Sequence, residues 1–135
     1  MTDPIERFVA LSAELTGFRE VDIWGTGRAR AHLDLLLSVA GDDLTARLLA
    51  TPAHHALADP ALGPLARNLI VLWYLGQWDQ MPREWRNRHG ASPNDTAGVP
   101  SAAAFREGLV WAAIGAHPTG AKAPGFGSWA TPPAL

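Results

Sequence analysis

The chain of 135 residues contains no cysteine. It therefore holds no disulfide, no zinc-thiolate site, no cysteine-ligated iron–sulfur cluster and no thiol nucleophile of its own. Basic residues are not in excess either, because Lys and Arg number 11 against 13 Asp and Glu, which leaves a formal net charge of -2. This balance removes the general electrostatic argument for nucleic acid or an anionic membrane surface as a partner.

The sequence also lacks a long apolar run. The longest one, residues 69–75, is far short of the ~20 residues that a membrane-spanning helix needs. We therefore expect no direct insertion into a membrane. No basic segment followed by an apolar one precedes Asp3, so the sequence shows no export signal.

Tryptophan, in contrast, is abundant. The chain has 6 Trp residues, and 47% of its residues are hydrophobic. That apolar content is enough for one domain with a single core. Trp is favoured where a large, rigid apolar side chain meets a partner, so its abundance indicates an interface.

Apolar residues recur at helical spacing in four or five segments. Asp3 and Pro4 are a favourable start for the first helix, and Gly17 and Gly41 are suitable ends for the first two. The most hydrophobic segment ends before Gly76 and predicts the central helix. The predicted helices cover residues 4–16, 26–40, 42–50, 60–75 and 101–113.

Other stretches show no helical period. Residues 52–58 are predicted to be a loop, and the polar residues 77–100 a long irregular connection. Residues 116–135 contain too much Pro and Gly for a helix or a central strand, although they include apolar residues to bury. The sequence thus predicts an all-α domain over residues 1–115 and an extended C-terminal arm over residues 116–135.

No residue pattern predicts a catalytic or metal site. His54 and His55 are adjacent, so we expect their side chains to diverge unless the loop kinks. His32 is predicted to lie in the core or at an interface. Asp42 and Asp43 fit the capping of a helix. The serines lie outside a Gly-x-Ser-x-Gly motif, and no glycine pattern forms a dinucleotide-binding loop.

Five short blocks carry a resemblance to a known family. They are FVALSAELTGF at 8–18, LWYLGQW at 72–78, GLVW at 108–111, HPTG at 117–120 and PGFGSWA at 124–130. In this order and spacing they resemble the small subunits of bacterial membrane-associated FAD-dependent dehydrogenases of sugars and polyols. Sorbitol, fructose and glucose dehydrogenase complexes contain such subunits. The resemblance covers most of the chain.

The resemblance implies a noncatalytic gamma subunit that stabilises a larger flavoprotein and assists its folding and export. That flavoprotein belongs to the glucose-methanol-choline class and holds the FAD and the substrate site, so no cofactor is expected in this chain. The implied location is the periplasm, with the membrane reached through the complex. A cytochrome c subunit is a further implied partner. Small subunits of this family carry a twin-arginine export signal, whereas no paired arginines precede Asp3 here.

Aromatic residues are the candidates for the partner interface. An isolated Pro/Gly-rich arm would struggle to offset the entropy lost on ordering, so we expect its aromatic residues to bind a partner. Core packing is an equal alternative for Trp73 and Trp111. The predicted interface residues are Trp73, Tyr74, Trp78, Trp111, His117, Phe126 and Trp129.

Two other functions stay open at this point. One is a free-standing helical module whose Trp-lined groove takes a small apolar ligand or a peptide helix. The other is a small hydrolase or metal enzyme that uses His32, His54 and His55. The first predicts a well-behaved monomer, and the second predicts bound metal or loss of activity on His substitution.

Overall fold

Helices make up the architecture of residues 3–115, the part of the chain that the computed structural model describes. No strand occurs in that part, and one isolated β-bridge pairs Trp78 with Gly98. The predicted all-α fold is confirmed, while the predicted arm lies outside the described residues. The helices are α1 Pro4–Thr16, α2 Glu20–Gly25, α3 Ala29–Leu49, α4 Ala53–Ala58, α5 Leu62–Leu75, α6 Arg83–His89, α7 Ala102–Arg106 and α8 Leu109–Ala113.

Helix α5 is the centre of the core, as its hydrophobicity predicts. It packs against α1, α3, α4, α7 and α8. A helix that is covered on most of its sides must be apolar around most of its circumference. Its buried residues include Leu65, Leu69, Leu72 and Trp73.

Local sequence explains the ends of several helices. The Asp3 carboxylate accepts a hydrogen bond from the Ile5 backbone N–H at 3.0 Å and caps α1. Ser101 caps α7 in the same way, since its Oγ accepts from the Ala104 N–H at 3.0 Å. Gly76 ends α5 with a φ of 66°, and a Cβ there would lie 2.7 Å from the Phe105 Cα. Both the backbone conformation and the close approach of α7 require glycine at this position.

The prediction of four or five helices was too low, because the described residues form eight. Helix α2 lies where the sequence indicated only a break. Helix α4 replaces the predicted loop at 52–58, since Pro52 precedes a helix start and Ala53 and Ala56 are buried. Helix α6 lies inside the supposedly irregular connection and is anchored by buried Trp85. Such helices of six or seven residues are too short to show a clear period.

One predicted break is confirmed, and one predicted helix is divided. The second and third predicted helices lie within α3 and meet at a kink at Gly41, where the backbone is not helical, with a φ of 81° and a ψ of 173°. The single helix predicted for residues 101–113 is divided into α7 and α8. The division falls at Gly108, where a Cβ would lie 2.6 Å from the Tyr74 carbonyl oxygen. Close packing of this turn on the end of α5 separates the two helices.

Candidate partner-binding surface

Trp73 lies in the core. Its side chain is 1% exposed and packs between the ring of Phe8, with centroids 6.0 Å apart, and the edge of His32, with centroids 4.6 Å apart. Burial, as the larger cause, and the charge of Arg28 together lower the pKa of His32 to about 4. The prediction of a core position for His32 is confirmed, and Trp73 has almost no exposed area to offer a partner.

Trp78 is buried as well, at the centre of a polar cluster that organises the 77–100 connection. Its indole Nε1 donates to Asp95 Oδ1 at 3.0 Å, and the Met81 backbone N–H donates to the same oxygen at 2.9 Å. Arg86 Nε forms an ion pair with Asp95 Oδ2 at 3.2 Å. Asp95 is 1% exposed, so one buried carboxylate joins both ends of the connection to α6. These contacts within the chain account for the burial of Trp78, so its position needs no second protein to explain it.

Tyr74 occupies a different environment at the carboxyl end of α5. It is half-buried, and its hydroxyl donates to the Thr16 carbonyl oxygen at 2.7 Å. Its ring meets Phe18 edge-on, with centroids 5.9 Å apart. The backbone at Gly108 approaches the Tyr74 carbonyl from the other side. The end of α1, the end of α5 and the α7–α8 turn therefore meet at Tyr74.

Trp111 belongs to the same end of the molecule. It is half-buried, its ring lies edge-on to Phe105 with centroids 5.6 Å apart, and its Nε1 donates to the Phe105 carbonyl oxygen at 3.1 Å. The Phe105 backbone in turn contacts Gly76. Trp111 thus fixes the α7–α8 turn while part of its ring stays exposed.

Three large apolar side chains at this end are open to solvent. Leu75 is 47% exposed, Phe105 42% and Ile114 48%. Leu75 precedes Gly76, which contacts Phe105. Helix α8 begins beside Tyr74 and packs on α5, and at 1.5 Å per residue Ile114 lies about 7.5 Å along the helix from its first residue, Leu109. We call this set the apolar end surface; it consists of Tyr74, Leu75, Phe105, Trp111 and Ile114.

The sequence pointed to Tyr74 and Trp111 of this surface but missed Leu75, Phe105 and Ile114. The signal for Leu75 was weak, because almost every residue of α5 is apolar and the period cannot show which side stays uncovered. Phe105 contacts Trp111, one of the predicted interface residues. The other predicted interface residues, His117, Phe126 and Trp129, lie outside the described residues.

The histidines supply no candidate metal centre in the described part of the chain. His54 and His55 are exposed, and their rings lie 4.1 Å apart. The prediction that they diverge was wrong, since both rings stay close on the surface of α4. Among residues 3–115, no group of three or more His, Cys, Asp or Glu side chains is placed to hold a metal ion.

A shallow cleft of about 280 Å³ lies on the other side of the molecule, beside α6. Trp85 forms one wall and stacks near His89, with ring centroids 4.9 Å apart. Pro60, Pro64 and Pro82 also line it. Its volume lies just below the range of roughly 300–1,000 Å³ that is usual for small-molecule sites. The cleft is therefore a weaker candidate than the apolar end surface.

Comparisons with known proteins add no assignment. The chain matches no family model, no curated protein and no solved structure. Within residues 3–115, no helix has the length and apolar character that crossing a membrane requires.

Proposed function

We propose that this chain is the noncatalytic small subunit of a periplasmic FAD-dependent sugar or polyol dehydrogenase. It binds the flavoprotein through the apolar end surface together with residues of the 116–135 segment. The observation that carries this proposal is the exposure of Leu75, Phe105 and Ile114 at one end of the domain; among residues 3–115, the other exposed large apolar side chains are Val21, Trp24, Leu57 and Val99. Contiguous exposed apolar surface is typical of sites that bind another protein.

The place of the resembling blocks in the fold supports the same surface. Block 8–18 contributes Thr16 and Phe18, which contact Tyr74 of block 72–78. Block 108–111 begins at Gly108, which packs on the Tyr74 carbonyl, and it ends at Trp111. Three blocks that are far apart in sequence therefore meet at one end of the molecule. The chain then continues from this end into the two remaining blocks.

The subunit would act by binding energy alone. The flavoprotein supplies the FAD, the substrate site and the hydride transfer, while this chain buries apolar surface of the folded flavoprotein. A ligand that binds only the folded state stabilises it by about 2.7 kcal/mol when its free concentration is 100 times its Kd. Folding, FAD retention and export of the partner would all benefit from that shift. A cytochrome c subunit is a further proposed member of the complex.

The proposal is tested by co-expressing the tagged chain with the glucose-methanol-choline-type flavoprotein encoded beside it. We expect a complex that carries flavin absorbance, and a several-fold lower yield of FAD-loaded flavoprotein when the small chain is absent. Recovery of the small chain alone, with a flavoprotein that folds and keeps FAD without it, would contradict the proposal. That result would favour the free-standing binding module.

A matched pair of leucine variants assigns the surface. Leu75→Ser alters the apolar end surface, whereas Leu57→Ser alters α4, whose Leu57 is 36% exposed and lies beside Gly63 at the other end of α5. We expect Leu75→Ser to reduce co-purified flavin at least threefold and Leu57→Ser to leave it unchanged. Equal effects of the two variants would exclude the apolar end surface as the contact.

A further inference from the structure

The cleft beside α6 has a well-fixed backbone. Trp85 is 5% exposed, and its Nε1 donates to the Ala61 carbonyl oxygen at 2.9 Å. The next residue, Arg86, forms an ion pair with the buried Asp95 carboxylate at 3.2 Å. Two successive residues thus attach α6 to two different parts of the chain. The side chains that α6 directs into the cleft therefore start from a fixed position.

Two of those side chains carry opposite charges and have no partner. Glu84 and Arg88 both line the cleft, and they lie four residues apart, on one face of α6. Residues at this spacing commonly form an ion pair. Here neither side chain forms an ion pair or a hydrogen bond with any part of residues 3–115. The cleft therefore holds one carboxylate and one guanidinium that are separated by more than an ion-pair distance and are both open to a ligand.

The remaining walls of the cleft are largely apolar. The ring of His89 lies beside Trp85, with centroids 4.9 Å apart. The other walls are the rings of Pro60, Pro64 and Pro82. A proline ring offers carbon atoms and no N–H group, so these walls favour an apolar group over water. The volume of about 280 Å³ lies just below the range for drug-sized ligands, so a smaller organic molecule fits.

A free α-amino acid with an apolar side chain matches all of these features. Its ammonium and carboxylate groups are attached to the same carbon atom, so they fit together between two charged side chains whose Cβ atoms are about 6 Å apart. The ammonium group would donate to Glu84, and the carboxylate would accept from Arg88, whose planar guanidinium suits a carboxylate. A chain terminus carries only one of the two charges and would leave Glu84 or Arg88 unpaired.

We propose that the cleft beside α6 binds a free α-amino acid with an apolar side chain, held between Glu84 and Arg88. The apolar side chain of the ligand lies against the proline rings and Trp85. Because ion pairs at exposed side chains contribute little, we expect a dissociation constant of about 0.1–10 mM. This site is separate from the apolar end surface, and the inference does not rest on the proposed function.

Titration of the isotope-labelled, full-length chain with L-phenylalanine tests the proposal. The readout is the indole N–H signal of Trp85. We expect a saturable shift of this signal and no matching shift for Trp24, which lies on α2 outside the cleft and is 46% exposed. Three analogues each lack one feature: N-acetyl-L-phenylalanine lacks the ammonium group, L-phenylalaninamide lacks the carboxylate, and glycine lacks the apolar side chain. Each should bind at least fivefold more weakly.

Matched variants assign the two charged side chains. Glu84→Gln and Arg88→Gln should each raise the dissociation constant for L-phenylalanine at least fivefold. Arg83→Gln is the control, because Arg83 is exposed on the same helix but does not line the cleft, and it should leave the constant unchanged. The indole signals of buried Trp73 and Trp78 verify folding in each variant.

The proposal would be overturned if the Trp85 signal gave no saturable shift with a dissociation constant below about 10 mM. Equal binding of the N-acetyl or amide analogue would assign the cleft to a chain terminus instead, and equal binding of glycine would exclude a role of the apolar walls. Equal effects of Arg88→Gln and Arg83→Gln would place the ligand elsewhere. The test contains no flavoprotein, so its failure is independent of the proposed function.

Discussion

Trp73 and Leu75 are two positions apart in α5, yet Trp73 is 1% exposed and Leu75 is 47% exposed. Two residues along a helix turn the side-chain direction by about 200°, so these side chains face opposite sides. The Trp73 side meets Phe8 and His32. Leu75 precedes Gly76, which packs on the backbone of α7, and its own side chain stays partly open. Similar apolar residues in one helix thus contribute to the core on one side and form a candidate docking surface on the other.

The surroundings of Asp95 and the apolar end surface also differ in their polar contacts. In the 77–100 connection, the buried Asp95 carboxylate accepts hydrogen bonds from the Trp78 indole and the Met81 backbone N–H and forms an ion pair with Arg86. At the apolar end surface, the Tyr74 hydroxyl and the Trp111 indole N–H donate to the backbone carbonyls of Thr16 and Phe105 respectively. Those contacts fix the turns, whereas the exposed apolar groups beside them make no such contact. Substitutions around Asp95 should therefore affect folding, whereas substitutions at the apolar end surface should affect binding.

The largest expected effect separates the two sides of α5. Trp73→Ala removes a fully buried indole and should lower the free energy of unfolding by about 3–5 kcal/mol. Leu75→Ala, on the exposed side, should change it by less than about 1 kcal/mol. Urea unfolding followed by circular dichroism measures both values. Similar losses for the two variants would show that the exposed side of α5 also supports the fold.

The next effect concerns the buried carboxylate. Asp95→Ala leaves the Trp78 indole and the Met81 N–H without their acceptor and Arg86 without its ion pair, so we expect a loss of about 3 kcal/mol. Asp79→Ala is the control, because Asp79 is exposed in the same connection. Chemical unfolding of both variants gives the comparison. A loss for Asp95→Ala no larger than for Asp79→Ala would exclude Asp95 as the organiser of the 77–100 segment.

The third effect depends on pH. The pKa of His32 is lowered from 6.5 to about 4 in the folded chain, so the unfolded chain binds the proton more tightly. The stabilisation from neutral His32 is complete above about pH 6.5 and is lost as the pH falls towards 4, by roughly 3 kcal/mol in total.

His32→Gln should remove most of that slope between pH 4 and 6.5, and His54→Gln should keep it because His54 is exposed. Carboxylates that the fold stabilises lose their contribution in a lower range. The pKa of Asp59, for example, is lowered by hydrogen bonds from the Leu62 and Ala61 backbone N–H groups. Unfolding free energies at several pH values measure the slopes. An unchanged slope in His32→Gln would contradict the buried, neutral state of His32.

Sequence reasoning was accurate where a local signal is strong. The cap at Asp3 and the stop at Gly76 each depend on a few neighbouring residues, and both lie where they were predicted. It was inaccurate for α2, α4 and α6, because helices this short depend on tertiary packing more than on propensity. For the candidate site, the aromatic composition indicated Tyr74 and Trp111 but gave no means to separate them from buried Trp73 and Trp78.

The sequence by itself determined the class of the fold and the absence of any cysteine-based chemistry. Hydrophobic period and capping residues are local properties, so they can be recognised without the rest of the molecule. Only the tertiary structure decided which apolar side chains are covered. Burial depends on what packs from elsewhere in the chain: Phe8 and His32 cover Trp73, Asp95 closes over Trp78, and the short α7–α8 turn leaves Leu75 exposed.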